Sequence, residues 1–354
     1  MAGKVVIRAN VAALHPYVPG EQPQESGWIK LNTNENPFLA PQIAQAVAQA
    51  ATDSLRLYPD PLCVDLRARL AGRYAVPASQ IICGNGSDEL LTLAVRAAAG
   101  EGDRIAYPDP SYSLYETLAR IQNALPVALP LGPEWELPVP DLAAAGARLT
   151  LVANPNAPTG TPYPLDELDR LAGDLEGLLV VDEAYVDFGG QTALPLLQRH
   201  ENLLVLRTMS KAFGLAGVRL GYGIGSPAVI DALYKIKDSY NVDRLAQAAG
   251  IAALDAFEVV AANNRQIAAR RDRVAHLLRE RFRWRVWPSA ANFILVEPAP
   301  HPAKGIYEGL TRHRILVRYF DRPRLAGCLR ISIGAEREMA ALVRALDSML
   351  RSDS

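Results

Sequence analysis

The 354-residue chain has few cysteines, almost no net charge and no long apolar run, and each shortage excludes a class of protein. Its three cysteines are Cys63, Cys83 and Cys328. They are odd in number, far apart and without C-x-x-C spacing. That excludes a disulfide framework and a cysteine-ligated zinc site, and fits a reducing cytoplasm. The five histidines are equally scattered, none at metal-ligand spacing, so no metal is expected. A formal net charge of −1 offers no basic face to nucleic acid. No apolar stretch reaches the ~18 residues that span a bilayer, and residues 1–10 lack the apolar core of a signal peptide, so no membrane association is expected. A G-x-G-x-x-G dinucleotide signature is also missing, which argues against NAD.

What is present is an alternation of short apolar runs and helical patterns in a chain large enough for more than one lobe. Residues 81–83, 104–107, 149–153, 178–181, 203–206 and 220–224 read as buried strands, the order of a doubly wound α/β sheet. The pattern shifts after about residue 238. Helical periodicity then runs over 244–282. Short strands follow at 283–286, 292–296, 315–318 and 329–333, and a last helix at 336–351.

The most informative stretch is 207–218, Arg-Thr-Met-Ser-Lys-Ala-Phe-Gly-Leu-Ala-Gly-Val. It follows a strand, so Lys211 sits where open α/β sheets hold their chemistry. Ser210 adds a hydroxyl, Gly214 and Gly217 let the backbone approach a bound group, and Arg219 adds a fixed charge. An amine beside a hydroxyl and a guanidinium suits an aldehyde cofactor that carries a phosphate. In isolation Lys211 reads as a surface lysine. Upstream, the strand 178–181 ends in Asp182-Glu183-Ala184-Tyr185. Alone, Asp182 reads as a helix cap. Beside the Lys211 loop, it suits the carboxylate that keeps the ring nitrogen of pyridoxal phosphate protonated, so that the ring accepts electrons. Tyr185 has a phenol to reach the ring oxygen.

At 84–89, Gly-Asn-Gly-Ser-Asp-Glu joins a strand to a helix. Gly86, Ser87 and Asp88 then lie at a helix start that suits a phosphate, and equally at an ordinary cap made by Ser87. Tyr112, after a strand and a proline turn, suits a flat ring over a planar cofactor, or simple packing.

Together these residues resemble the fold-type-I pyridoxal-phosphate aminotransferases, over nearly the whole chain. More narrowly, the chain resembles the histidinol-phosphate aminotransferases. That match rests on Leu-His-Pro-Tyr-Val-Pro-Gly at 14–20, Leu-Asn-Thr-Asn-Glu-Asn-Pro at 31–37, Arg-Leu-Tyr-Pro-Asp at 56–60, Ala-Asn-Phe at 291–293 and Cys-Leu-Arg-Ile-Ser-Ile-Gly at 328–334.

The resemblance implies a large, doubly wound, mostly parallel sheet domain over 31–243 and a smaller α/β domain over 244–354. An arm over 1–30 would pack on the small domain and on a partner subunit. It makes Lys211 the Schiff-base lysine and proton shuttle, Asp182 the partner of the ring nitrogen and Tyr185 the donor to the ring oxygen. Gly86, Ser87, Ser210 and Arg219 would hold the cofactor phosphate, with Asp88, Tyr112 and Asn156 also lining the cofactor. Tyr58 would reach the phosphate of the neighbouring subunit's cofactor, which implies a homodimer. Arg330 would bind the carboxylate of glutamate or 2-oxoglutarate. Tyr17, Arg318 and Asn34 would lie on the substrate side, with Tyr17 and Arg318 on the phosphate of the imidazole substrate.

The implied reaction moves an amino group from glutamate to imidazole-acetol phosphate, giving L-histidinol phosphate in histidine synthesis. One position departs from the pattern. Most relatives have asparagine immediately before the Pro-Thr-Gly triplet, where this chain has Ala157. A hydrogen bond contributes roughly 1 kcal/mol, so its loss is tolerable while Tyr185 remains. Three rival readings are an aromatic or other aminotransferase of the same fold, a threonine-phosphate decarboxylase, and a cofactor-binding regulatory domain. Against the last, the chain starts almost directly with the arm and leaves no room for a DNA-binding module.

Overall fold

In a computed structural model, the chain is described over residues 6–14, 20–51 and 53–351. Among the described residues thirteen strands form three sheets. The first strand, β1 (Ile29–Lys30), precedes seven that build the large sheet. These are β2 (Ile81–Asn85), β3 (Arg104–Asp109), β4 (Leu125–Pro130), β5 (Leu149–Ala153), β6 (Leu178–Asp182), β7 (Leu203–Thr208) and β8 (Leu220–Gly225). Five short strands follow: β9 (Arg285–Val286), β10 (Phe293–Glu297), β11 (Ile315–Leu316), β12 (Arg318–Tyr319) and β13 (Leu329–Ser332).

The large sheet runs β2-β8-β7-β6-β5-β3-β4, with β8 antiparallel to both neighbours and the other pairings parallel. Every residue of β5, β7 and β8 is buried, as helices covering both faces require. The edge strand β4, Leu-Pro-Val-Ala-Leu-Pro, is one the sequence pattern does not announce. Its two prolines deny it ladder donors, and only an edge tolerates that.

The small lobe is an antiparallel sheet, β12-β13-β10-β9, carried by the helices Phe257–Phe282 and Glu336–Arg351. The expected strand over 315–318 is split. β11 pairs with β1 in parallel, and β12 pairs with β13. The helical run over 244–282 is two helices, Arg244–Asp255 and Phe257–Phe282, bent by 78° at the break between them. The first packs on Pro41–Ala50 and Val64–Tyr74 of the large lobe. There Gly250 lies so close to Leu220 and Leu66 that a Cβ would meet Leu220 at 2.4 Å. The helix Arg244–Asp255, with which the expected small domain opens, thus packs against elements of the large lobe. Among the described residues no single helix is long and apolar enough to cross a membrane.

Candidate active site

The carboxyl ends of β5, β6 and β7 open into a cavity of about 1030 Å³. Ser87, Asp88, Tyr112, Asp182, Tyr185, Ser210, Lys211, Arg219, Arg318 and Arg330 all line it. Residues from seven separate stretches of sequence are thus brought to one place.

The loop after β7 is held from two sides. Asn36 Nδ2 donates to the carbonyls of Lys211 (3.0 Å) and Ala212 (3.1 Å), and Lys211 Nζ donates to the carbonyl of Thr33 (3.0 Å). Gly214 has φ +71, and a Cβ there would lie 2.3 Å from the carbonyl oxygen of Phe38, so the loop can close on the chain just after the 31–37 segment only with glycine. Gly217, by contrast, faces open space. The 31–37 segment is in turn pinned to the small lobe. Ser332 Oγ accepts from the Asn34 amide at 2.9 Å and donates to Asn34 Oδ1 at 2.8 Å, and Asn292 Nδ2 donates to the Asn34 carbonyl at 2.9 Å.

Asn34 Nδ2 also donates to the Tyr185 hydroxyl at 3.0 Å. Because that oxygen accepts there, its own proton is available to an acceptor in the cavity. Ala157 packs with Ala291, Phe293 and Tyr185. The side chains of Asn154 and Asn156 do not replace the amide missing at 157. Asn154 is bound to the backbone of Tyr163. Asn156, expected on the cofactor, is wholly buried and holds the Pro110 carbonyl, Thr159 Oγ1 and Ser111 Oγ at 2.7–3.0 Å. It shapes the wall from behind and does not line the cavity.

The phosphate-suited corner is assembled from two strand ends. Gly86 has φ +77 and opens the helix Gly86–Ala98; a Cβ there would lie 2.7 Å from Arg219 Nη2. Arg219 Nη1 donates to Ser210 Oγ (3.2 Å), which also accepts from Thr208 Oγ1 (2.9 Å). Arg219 Nη2 pairs with Asp88 Oδ2 at 3.2 Å, with both side chains more than 40% exposed. Two hydroxyls, a guanidinium and a helix start converge, which is the donor set a phosphate needs.

Asp182 lies at the cavity floor, 5% exposed. Its Oδ2 accepts from Tyr115 OH at 3.2 Å and its Oδ1 from the Ala184 amide at 3.1 Å. No ion pair reaches it among the described residues. Burial first, and the charge of Asp88 second, push its carboxyl from 3.8 up to about 7. A buried carboxylate that faces the cavity with no cationic partner of its own among the described residues fits a protonated ring nitrogen, and with the phosphate corner it fits pyridoxal phosphate. Tyr115, three residues after Tyr112 and in the first turn of the helix Leu114–Ile121, is a contact that sequence reading missed. Tyr112 OH donates to Asp88 Oδ1 (3.1 Å), and its ring meets that of Tyr115 edge-on.

On the opposite wall, Arg318 and Arg330 are direct cross-strand partners in the β12–β13 ladder. Arg330 Nη2 donates to the Asn32 carbonyl at 2.7 Å, and Phe320 lies within reach of both guanidiniums. Tyr58 is elsewhere. It is 76% exposed, stacked on Tyr240 at 4.4 Å, and does not line the cavity. Tyr17 lies outside the described residues. Among the described residues no group of three or more His, Cys, Asp or Glu could hold a metal ion.

Comparison with known proteins agrees with this geometry. Residues 26–348 match the family "Aminotransferase class I and II". The chain is 44% identical over 344 residues to a histidinol-phosphate aminotransferase of Geobacter sp., covering 97% of this chain and 98% of that one. It is 42% identical over 347 residues to histidinol-phosphate aminotransferase 1 of Nostoc sp., covering 98% of each. A crystal structure of the Sinorhizobium meliloti histidinol-phosphate aminotransferase in complex with pyridoxal-5'-phosphate superposes with a TM-score of 0.91 over the full length of both chains, at 29% identity. Likenesses that span lobes, cavity and motifs together place the chain in the class I and II aminotransferases, the fold-type-I enzymes that work with pyridoxal phosphate, and within them among the histidinol-phosphate aminotransferases.

Proposed function

We propose that this enzyme exchanges an amino group between the glutamate/2-oxoglutarate pair and the L-histidinol phosphate/imidazole-acetol phosphate pair, a step of histidine synthesis. The observation that carries the substrate choice is the pairing of Arg318 with Arg330 across β12 and β13 on the cavity wall. Like charges set directly opposite repel, and a doubly charged ligand between them offsets that cost. Arginine suits the task because its planar fork engages phosphate and carboxylate alike. One wall can then serve a substrate with a phosphate and no carboxylate, and another with the reverse.

When bound, pyridoxal phosphate supplies an electrophilic carbon for the amine and a ring that accepts electrons. Ser87, Ser210, Arg219 and the helix start at Gly86 would hold its phosphate. Asp182 would keep a proton at the ring nitrogen, and Tyr185 would donate to the ring oxygen. Lys211 would form the covalent anchor. Once freed, its Nζ would take the proton from the substrate's amine-bearing carbon and return it two atoms along, on the far side of the amine nitrogen. The carbonyl of Thr33, 3.0 Å from Nζ, gives the freed amine an acceptor beside the cavity.

The enzyme would act as a cytoplasmic homodimer with shared sites. Leu55, Leu57, Tyr58, Leu62, Val64 and Tyr240 each stand 46–76% exposed around the Tyr58–Tyr240 stack, an apolar segment of the kind a partner covers. All three cysteines are free and buried, as suits a reducing compartment. Steady-state kinetics on histidinol phosphate, phenylalanine, tyrosine and aspartate tests the substrate choice. Histidinol phosphate should have the highest kcat/KM; an aromatic amino acid in first place would replace this reading. Release of CO2 from threonine phosphate would indicate a decarboxylase instead.

A further inference from the structure

The turn between β12 and β13 carries two arginines with different fates. Arg324 Nη1 and Nη2 each donate at 2.6 Å, to the carbonyls of Leu131 and Gly132. Its guanidinium also lies 4.5 Å from the centre of the Trp135 ring. Leu325, 2% exposed, packs into the core shared with Trp135. These contacts fasten the turn to the large lobe. Arg322, two residues earlier, lines the main cavity together with Phe320 and Asp321. It pairs with Asp109, at the end of β3, at 3.5 Å, with the two side chains 47% and 44% exposed. A long, half-exposed ion pair of this kind is weak and exchanges readily.

We propose that Arg322 is a third guanidinium that reads the substrate, held on Asp109 until a phosphate dianion displaces that carboxylate. The assignment rests on the reading of the substrate as a phosphorylated amine. Five cations line the cavity: Lys211, Arg219, Arg318, Arg322 and Arg330. The first two are assigned to the cofactor, which leaves three arginines for the substrate. Among the acids on the wall, Asp88 pairs with Arg219 and Glu116 with Arg120 at 2.7 Å. Asp182 is assigned to the ring nitrogen, so among the described residues of the lining only Asp321 is uncommitted.

A carboxylate that enters the cavity offers Arg322 no more than Asp109 already does. A phosphate dianion offers twice the charge and an extra acceptor oxygen, so exchange favours it. Asp109 thereby sets a threshold that a single carboxylate does not cross, and selectivity comes from the group that competes as well as from the group that binds.

The test is calorimetric titration of the holoenzyme with inorganic phosphate. In the holoenzyme the cofactor's own phosphate occupies the Ser87–Arg219 corner, so the titrant reports on the substrate wall. Arg322→Gln should weaken phosphate binding about tenfold, and Arg322→Lys should recover part of the loss. Asp109→Asn should tighten it severalfold while acetate, titrated in parallel, gains more than phosphate does. Unchanged phosphate affinity in Arg322→Gln, or weaker binding in Asp109→Asn, overturns the proposal. Failure of the substrate reading would show differently, as wild-type holoenzyme that binds phosphate through Arg322 yet does not turn over histidinol phosphate.

Discussion

The floor and the far wall of the cavity are built on opposite plans. The floor is the end of the large sheet. Asp182, Thr208 and Ser210 are buried and hydrogen-bonded; Asp182 ends the parallel ladder of β6, Thr208 ends the antiparallel pairing of β7 with β8, and Ser210 follows it. Arg207 of β7 and Glu183, the residue just past the end of β6, are both buried and form a 2.8 Å ion pair that ties the two strand ends together. The far wall is a short hairpin of the small lobe. Arg318 and Arg330 are half-buried and Arg322 is exposed; Arg330 holds the backbone carbonyl of Asn32 and Arg322 the half-exposed carboxylate of Asp109. A floor of that kind is set before anything binds. A wall of exchangeable cations accepts one anion and then another. The contrast suits an enzyme that repeats one chemical step on two unlike substrates.

Lys211→Ala should give the largest effect. It removes the anchor and the proton carrier at once, so both half-reactions should fall by several orders of magnitude, and the protein should lose the yellow colour of the bound cofactor. Near-normal turnover in that variant would end the floor's claim to the chemistry.

Asp182→Asn should come next, with losses of about a hundredfold or more through ring protonation. Its pH signature is separate. In cofactor-free protein the Asp182 carboxyl is raised from 3.8 to about 7. The folded state therefore binds the proton more tightly than the unfolded chain does. That contribution to stability is complete below pH 3.8 and is lost as pH rises through 7. Thermal melts of cofactor-free wild type should fall relative to Asp182→Asn across that window. Parallel curves for the two proteins would show that the carboxyl ionises normally.

On the wall the effects should be smaller and unequal. Charge-assisted contacts contribute roughly 1.5–3 kcal/mol, so losing one should lower kcat/KM about tenfold to a hundredfold. Arg330→Ala should harm glutamate and histidinol phosphate alike. Arg318→Ala should harm histidinol phosphate far more.

The smallest effect is expected from Tyr58→Phe, which leaves the fold untouched. If Tyr58 crosses to a partner's cofactor, mixed dimers of Tyr58→Phe and Lys211→Ala subunits should show activity set by subunit pairing. An active monomer by light scattering would remove the shared site.

The same contrast explains what was legible in the sequence. Asp182, Tyr185, Ser210 and Lys211 were readable because each lies directly after an apolar strand, and strand ends in an open α/β sheet face the ligand. The six expected strands of the large sheet all form. The roles of Asn36, Thr33 and Ser332 were hidden because their partners lie between 175 and 298 residues away in the chain, a relation that no local pattern encodes. Asn156 was misdirected for a related reason. Its place beside the Pro-Thr-Gly turn suggested the cofactor, whereas a wholly buried amide must satisfy itself locally, and Ser111, Thr159 and Pro110 do so. The break at Ala256 was invisible because both helices keep apolar periodicity through it.

The most direct test of this division is stopped-flow measurement of both half-reactions in Asp182→Asn and Arg318→Ala. The floor variant should lose the glutamate and histidinol phosphate half-reactions by the same factor, whereas the wall variant should lose the second by at least about tenfold more than the first. Equal losses in Arg318→Ala, or unequal losses in Asp182→Asn, would contradict the account.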